Sequence, residues 1–444
     1  MAMRRTATIR TGAAAAALVA ALTFGTACSG GSQGSAQGSG PVVVTYWGWS
    51  PGIPAQVALF NKTHTDIQIK YTEIKGGTDA LTGYRNAIAA GDAPDLQNGD
   101  QSWLTPLVAE GSIADISQYF AADKSSYLAA AWNDVTLDGR QYAVPNSLAP
   151  EFFVYRTDIY KKYGLSAPTT WDQFISQGKI LAAHGVKITN FAGEDPSTLV
   201  NQAWQAGAHW YSVDGDSWKI DFLSQQSLQA AKVIQDLIDE NAISTQTVQD
   251  YAAFQQIYDK GQTATRAIWL WSTNGMVKNF KLSFGDWAAA PVPGYSTGAS
   301  GSVGAAGTTY IAKQTKHLKQ AVEAANWLST NPDSIKIAAS PTIGSATFPA
   351  VADAASYTPA LVSKQLFGSN YTEAVAVAEK ASTQGVSGWV FGPDYTAMYQ
   401  EAADWWAKVI TKQITVVQML QHLQQWTVSD LKSSGINVID ASKS

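Results

Sequence analysis

A single cysteine, Cys28, is all the thiol chemistry the chain owns, so no disulfide can form within it. Five histidines, at 64, 184, 209, 317 and 422, are scattered without the spacing of metal ligands, and no metal site is expected from them. Asp214-Gly215-Asp216 lacks the twelve-residue ligand series of a calcium loop, and a hairpin turn is expected there. Charge is scarce as well: 15% of residues are Asp, Glu, Lys or Arg, against roughly 25% in an average globular domain. The basic residues form no cluster, which argues against nucleic acid as a partner. The one marked apolar run, Ala13 to Phe24, falls short of the roughly 20 residues that cross a bilayer.

What is present is tryptophan, 16 of them, on a chain whose polarity comes from Gln, Asn, Ser and Thr. Neutral, hydroxyl-rich ligands handled by aromatic platforms and amides fit this composition. With 444 residues the chain exceeds what one core usually holds, and two domains are expected.

The N-terminus divides into Arg4, Arg5 and Arg10, the apolar run, and Gly25-Thr26-Ala27 before Cys28, which is the layout of an export signal. It resembles a bacterial lipoprotein signal, which implies cleavage after residue 27 and lipidation of Cys28; the position three before the cysteine is Gly25 where the pattern favours an aliphatic residue. Residues 28–40 are Gly/Ser-rich and read as a flexible tether. Gly30-Gly31-Ser32-Gln33-Gly34 matches a nucleophile elbow by letters alone, since no strand precedes it and no helix follows. Loss of the three arginines moves the formal charge from −5 to −8.

Along the folded part, Val42–Tyr46 and Ile67–Ile74 read as strands, Pro54–Thr63 and Leu81–Ala90 as helices, and a third strand ends near Leu96-Gln97. This β-α-β-α-β order predicts a parallel sheet covered by helices. Thr170-Trp171-Asp172-Gln173 fits a capping box, and Val186–Phe191 and Ala264–Leu270 read as further strands. Late helices are predicted at His317–Thr330, Asp333–Ala339, Tyr395–Thr411 and Val416–Lys432. The fold class is α/β.

Several segments carry a resemblance. Gly91-Asp92-Ala93-Pro94-Asp95-Leu96 with Leu107–Ile116, Tyr142-Ala143-Val144-Pro145 with Val154–Leu165, and Ala167–Phe174 resemble extracytoplasmic solute-binding proteins of ABC sugar importers. Gly261 to Trp271 is similar to another stretch of that family, with Gln262 and Thr265 in place of its usual Lys and Met. The resemblance covers the whole mature chain and points to the carbohydrate-binding branch that includes the maltodextrin-binding proteins. It implies a two-lobe periplasmic-binding-protein-like fold with a ligand cleft between the lobes and hinge crossings. Mapped here, residues 41–146 and 293–340 would form one lobe and 147–292 and 341–444 the other, crossing near Val144–Pro150, Ala290–Gly294 and Ser340–Gly344. It further implies an oligosaccharide ligand, the transmembrane subunits of an ABC permease as partner, an extracytoplasmic location on a lipid anchor, a monomer, no cofactor and no catalysis.

In open α/β sheets ligands lie beyond the carboxyl ends of strands. Trp47, Trp49 and Ser50 end the first strand, Asn98, Asp100 and Gln101 the third, and Trp269 and Trp271 the strand at 264–270, where residues two apart share a face. Asn146 and Ser147 lie at the first crossing, Glu194 follows a strand, and Trp210 and Trp389 resemble family cleft residues. These thirteen are the candidate ligand residues. Trp171, Trp327, Trp405, Trp406 and Trp426 fall in helical patterns and are expected to pack. The alternative is a secreted glycoside hydrolase, which needs two carboxylates flanking the scissile bond; no such pair stands out.

Overall fold

The computed structural model describes residues 40–295, 303–386 and 388–443. Cys28, the export segment and the tether up to residue 39 lie outside them, as do residues 296–302 of the glycine-rich stretch. Among the described residues no helix is long and apolar enough to cross a membrane.

The chain opens with β1 (Val42–Gly48), α1 (Ile53–Thr63), β2 (Ile67–Glu73), α2 (Thr78–Ala90) and β3 (Leu96–Asp100). β1 pairs in parallel with β2 on one side and β3 on the other, since a helix between each pair of strands returns the chain to the same edge. Gly91 ends α2 at φ 75°, a left-handed cap that glycine takes without strain.

The longest strand, β4 (Ala143–Arg156), ties the molecule together. Its second half, Glu151 to Arg156, pairs with β5 (Thr265–Trp269) and β6 (Trp287–Ala290). Its first half pairs with β7 (Val303–Ile311), which in turn joins β3. The Tyr142–Pro145 lead-in and the strand after it are thus one element, and the first expected crossing lies inside it. The β4–β7 register shifts on either side of Gly307, where a Cβ would stand 2.3 Å from Ser147 Oγ and 2.5 Å from Asn146 Oδ1. Only glycine lets β7 pass those two polar side chains.

The helical predictions hold with small changes of boundary. α3 (Trp171–Ala183) starts on Thr170, whose Oγ1 accepts from Gln173 N at 3.2 Å. The reciprocal half of the expected capping box goes elsewhere: Gln173 Oε1 accepts from Thr169 N at 2.9 Å. α4 (Ser197–Gln205), α5 (Gln225–Asp239) and α6 (Tyr251–Asp259) follow. Val186–Phe191 forms no full strand; only Thr189–Asn190 pairs, with Ile243–Ser244, and Lys187 bridges Thr263. β5 ends at Trp269, and Trp271 belongs to the first turn of α7 (Leu270–Asn279), which corrects its placement in the strand. α8 (Leu318–Thr330) and α9 (Pro332–Ala339) pack on α1.

The chain does not leave the first half of the molecule at Ser340–Gly344. Phe348 pairs with Leu148, Leu128 N donates to Ala350 O at 2.9 Å, and Val351 bridges Tyr127. α10 (Tyr395–Ile410) and α11 (Val416–Ser433) close the fold by packing on each other, α11 also against α5.

Candidate functional site

Where β1, β3 and the middle of β4 end, the surface opens into three adjoining cavities of about 220, 310 and 610 Å³. Trp271 lines all three, and Trp49, Asp100 and Ala149 are common to the smallest and the largest. Trp269, Ser197 and Asn201 join the second to the largest, so the three form one continuous cleft.

The smallest cavity joins Asp100 and a set of neutral amides and hydroxyls to an apolar wall. Ser50 Oγ donates to Asn98 Oδ1 at 3.3 Å, Asn146 Nδ2 donates to Thr309 Oγ1 at 3.3 Å, and Ser147 Oγ donates to Asn146 Oδ1 at 3.1 Å. The largest is aromatic. Trp49 packs on Trp103 with centroids 5.7 Å apart, and Gly76 backs it so closely that a Cβ there would lie 2.8 Å from the Trp49 ring. Trp269 and Trp271 stack nearly parallel, 5.6 Å apart at 7°, although one closes a strand and the other opens a helix. Trp271 remains 44% exposed. The Trp269 indole N–H is buried and has no hydrogen-bond partner.

Asp100 carries the charge of this region. Its Oδ1 accepts from Ser102 N at 2.9 Å and from Ser102 Oγ at 2.6 Å. Burial pushes its carboxyl above the usual range, against the lowering effect of the two Ser102 bonds. Asp195 accepts from Tyr399 OH at 2.8 Å and Ser197 N at 3.0 Å, which ties the start of α4 to α10.

Eight of the thirteen candidates meet here: Trp49, Ser50, Asn98, Asp100, Asn146, Ser147, Trp269 and Trp271. Five do not. Strand alternation turns Tyr46 toward the cleft and leaves half-buried Trp47 on the opposite face, lining none of the three cavities. Gln101 is buried against Asp134, whose carboxyl it helps hold down against the larger raising effect of burial. Glu194 is a loop brace, accepting from Thr247 Oγ1 at 2.5 Å and Val248 N at 2.7 Å. Trp210 is 1% exposed and donates its N–H to Ser227 Oγ at 3.0 Å, inside the core. Trp389 stands behind Trp204, stacked at 5.5 Å and 13°, and Trp204 takes the cavity face in its place.

Residues missed from the sequence come mostly from helices. Tyr395, Thr396, Tyr399 and Gln400 line the largest cavity from one side of α10, and their i, i+4 spacing is the signal that could have found them. Asn201 and Trp204 reach the cleft from α4. Trp171, assigned to packing, is 3% exposed yet borders the second cavity, its N–H donated to Gln205 Oε1 at 3.0 Å. Arg266 lines the same cavity, 9% exposed, its guanidinium 4.7 Å over Phe254 and 5.4 Å over Tyr258. Among the described residues no group of three or more His, Cys, Asp or Glu could hold a metal ion.

With this cleft in view, residues 47–335 match the family model of the bacterial extracellular solute-binding proteins. The chain belongs to that family. A lactose-binding protein of Rhizobium radiobacter is 24% identical over 269 residues, 56% of this chain and 61% of that one. A multiple sugar-binding protein of Streptococcus mutans is 22% identical over 298 residues, 61% of this chain and 66% of that one. The matched part therefore spans about three-fifths of these curated relatives. Among solved structures, the galacto-N-biose-/lacto-N-biose I-binding protein of an ABC transporter from Bifidobacterium longum, in complex with lacto-N-biose, aligns with a TM-score of 0.79. Its identity is 22%, over 90% of this chain and 99% of that one. The likeness establishes the two-lobe architecture of extracellular solute-binding proteins.

Proposed function

We propose that the protein is the binding component of an ABC importer, capturing an oligosaccharide of two or more rings outside the cell and delivering it to membrane-spanning permease subunits without breaking a bond. The observation that carries this reading is the Trp269–Trp271 stack at the junction of the three cavities, with Trp271 44% exposed beside the amides and hydroxyls of Ser50, Asn98, Asn146 and Ser147. Sugars offer C–H faces to aromatic rings and hydroxyl rims to planar polar groups, and the cleft supplies both in one continuous space. The sugar-binding names among its relatives support the ligand class.

In this reading Trp49, Trp269 and Trp271 are platforms, and Ser50, Asn98, Asp100, Asn146 and Ser147 meet hydroxyls. The lobes close by hinge motion about β4 between Val144 and Pro150, about Ala290–Gly294, and about a third crossing beyond Ala354, moved there by the contacts of Phe348 and Val351. Cys28 is lipidated after removal of residues 1–27, and 28–40 tether the monomeric binding domain to the outer face of the membrane.

The test is calorimetric titration of the purified chain with α- and β-gluco-, xylo-, manno-, galacto- and chito-oligosaccharides, followed by product analysis. Micromolar or tighter binding to one series with the sugar recovered intact supports a receptor. Recovery of cleaved sugar would establish a hydrolase, and silence across the panel would remove sugars as the ligand class.

A further inference from the structure

The charges along the cleft are lopsided. Asp100, Glu151 and Asp195 line it as acids, and the cation among the described lining residues is Arg266. Arg266 lies in the second cavity, sandwiched on Phe254 and Tyr258 and donating to Gln255 Oε1 at 3.2 Å, in company with Glu151 and Asp195. The largest cavity holds no lysine, arginine or histidine; its charged residue is Asp100, among the rings of Trp49, Trp204, Trp271 and Tyr395.

The state of Asp100 is unusual for a binding carboxylate. Among the described residues its hydrogen bonds come from the backbone and hydroxyl of Ser102, both on Oδ1, which turns Oδ2 to the cavity as the oxygen for a ligand. No lysine or arginine contributes to its electrostatic surroundings; burial dominates, and its negative charge is felt by Tyr395 and Tyr310. A carboxylate buried without a cation is costly; the Ser102 bonds relieve part of that cost, and a cationic partner relieves more. Tryptophan and tyrosine faces stabilise such a cation further, by about 0.5–2 kcal/mol in general. A neutral sugar hydroxyl gains a hydrogen bond from Asp100 but nothing from the ring faces beyond stacking.

We infer that the oligosaccharide taken by this cleft carries a protonated amine, a free amino sugar or a basic nitrogen within the chain, seated on Asp100 Oδ2 between Trp49, Trp271 and Tyr395. The inference rests on the saccharide reading above and narrows it to a basic ligand. Neutral and N-acetylated sugars of the same shape lose the ion pair and bind more weakly.

The experiment titrates the full chain with matched pairs of equal length: glucosamine against N-acetylglucosamine and glucose oligomers, and galactosamine-containing against galactose oligomers. The expected result is at least tenfold tighter binding of one amine member than of its neutral partner. That preference weakens as pH rises from about 7 to about 9.5 and the amine loses its proton. Asp100→Asn keeps the Ser102 turn, because asparagine caps as well as aspartate; it should bring the amine and neutral members of each pair within threefold of each other. The pH series on the wild-type chain tests the same point without any variant. Equal or tighter binding of the neutral members overturns the inference and leaves the sugar receptor standing. Silence in both arms overturns both.

Discussion

Replacing Trp271 with alanine separates binding from folding more cleanly than any other substitution in the cleft. The ring is 44% exposed in the open site, while its inner face stacks on Trp269. A tryptophan offers up to about 250 Å² of surface, so a sugar ring laid over the bare part covers about 100 Å² of it. At about 25 cal/mol per Å² this is about 2.5 kcal/mol, or about 70-fold in affinity. The stability cost is much smaller: one aromatic pair, about 0.5–1.5 kcal/mol, at the exposed first turn of a helix. Calorimetry with whichever oligosaccharide binds best, beside a thermal melt of the same preparation, reads both quantities. A variant that melts within a few degrees of the parent yet binds within threefold of it would refute the placing of a sugar face on Trp271. Equal weakening by Trp47→Ala would refute the reasoning from strand alternation as well.

Three other outcomes are expected. Trp210→Ala empties a core site and removes the bond from the indole to Ser227 Oγ, which should cost about 3–5 kcal/mol in urea unfolding and make the variant hard to isolate folded. Gly76→Ala pushes a methyl group into the Trp49 ring; ligand affinity should fall about five- to tenfold by calorimetry with unfolding free energy changed by under about 1 kcal/mol. Burial raises the carboxyls of Asp134 and Asp394 to about 7, so the native state holds protons that the unfolded chain, with carboxyls near 3.9, has released. Their contribution therefore falls as pH rises from about 4 to about 7, by on the order of 4 kcal/mol for each group at most. Asp115, Glu194, Asp259 and Asp440, all held low, act in the opposite sense and lose their contribution only at more acid pH. Urea unfolding at pH 5, 6, 7 and 8 checks this: Asp394→Asn should flatten the slope, and an unchanged slope would show that Asp394 is ionised throughout.

Much of the fold was legible because its signals are local. Val42–Tyr46 and Ile67–Ile74 are β-branched or alternating, Gly91 supplies a left-handed helix end, and the helix starting at Trp171 is announced by Thr170. The misreadings fall where a distant partner decides. Pro145 and Pro150 look like interruptions, yet β4 runs through both because β7 pairs along its first half and β5 and β6 along its second. Ile188 and Phe191 are buried, yet their segment pairs over two residues only, so it stays out of the main sheet. Nothing local in Pro341–Gly344 reveals that Phe348 goes on to pair with Leu148 or that Val351 bridges Tyr127.

The site divides along the same line. A strand end says that its last residues reach the edge of a sheet, and that sufficed for Trp49, Asn98 and Asp100. It does not say which of the two tryptophans reaches the cleft: the pleat turns Tyr46 toward it and Trp47 away, while Trp49 lies beyond Gly48, the last residue of β1, where alternation no longer holds. Trp204, Trp389 and Trp210 form a file of rings from cavity to core, with spacings of 5.5 and 5.2 Å. Each is a tryptophan at a helix or loop edge when read as sequence, and depth within the file is a property of packing alone. The pieces of the cleft are also held by separate supports: Trp49 by Gly76 and Trp103, Trp269 and Trp271 by the β5–α7 junction. A flat ligand is covered on both faces only when these two supports approach each other. On the proposed reading the rings supply affinity while the hinge controls when that affinity is available, and substitutions far from the cleft that change the bend of β4 are expected to alter binding in calorimetry without touching a sugar.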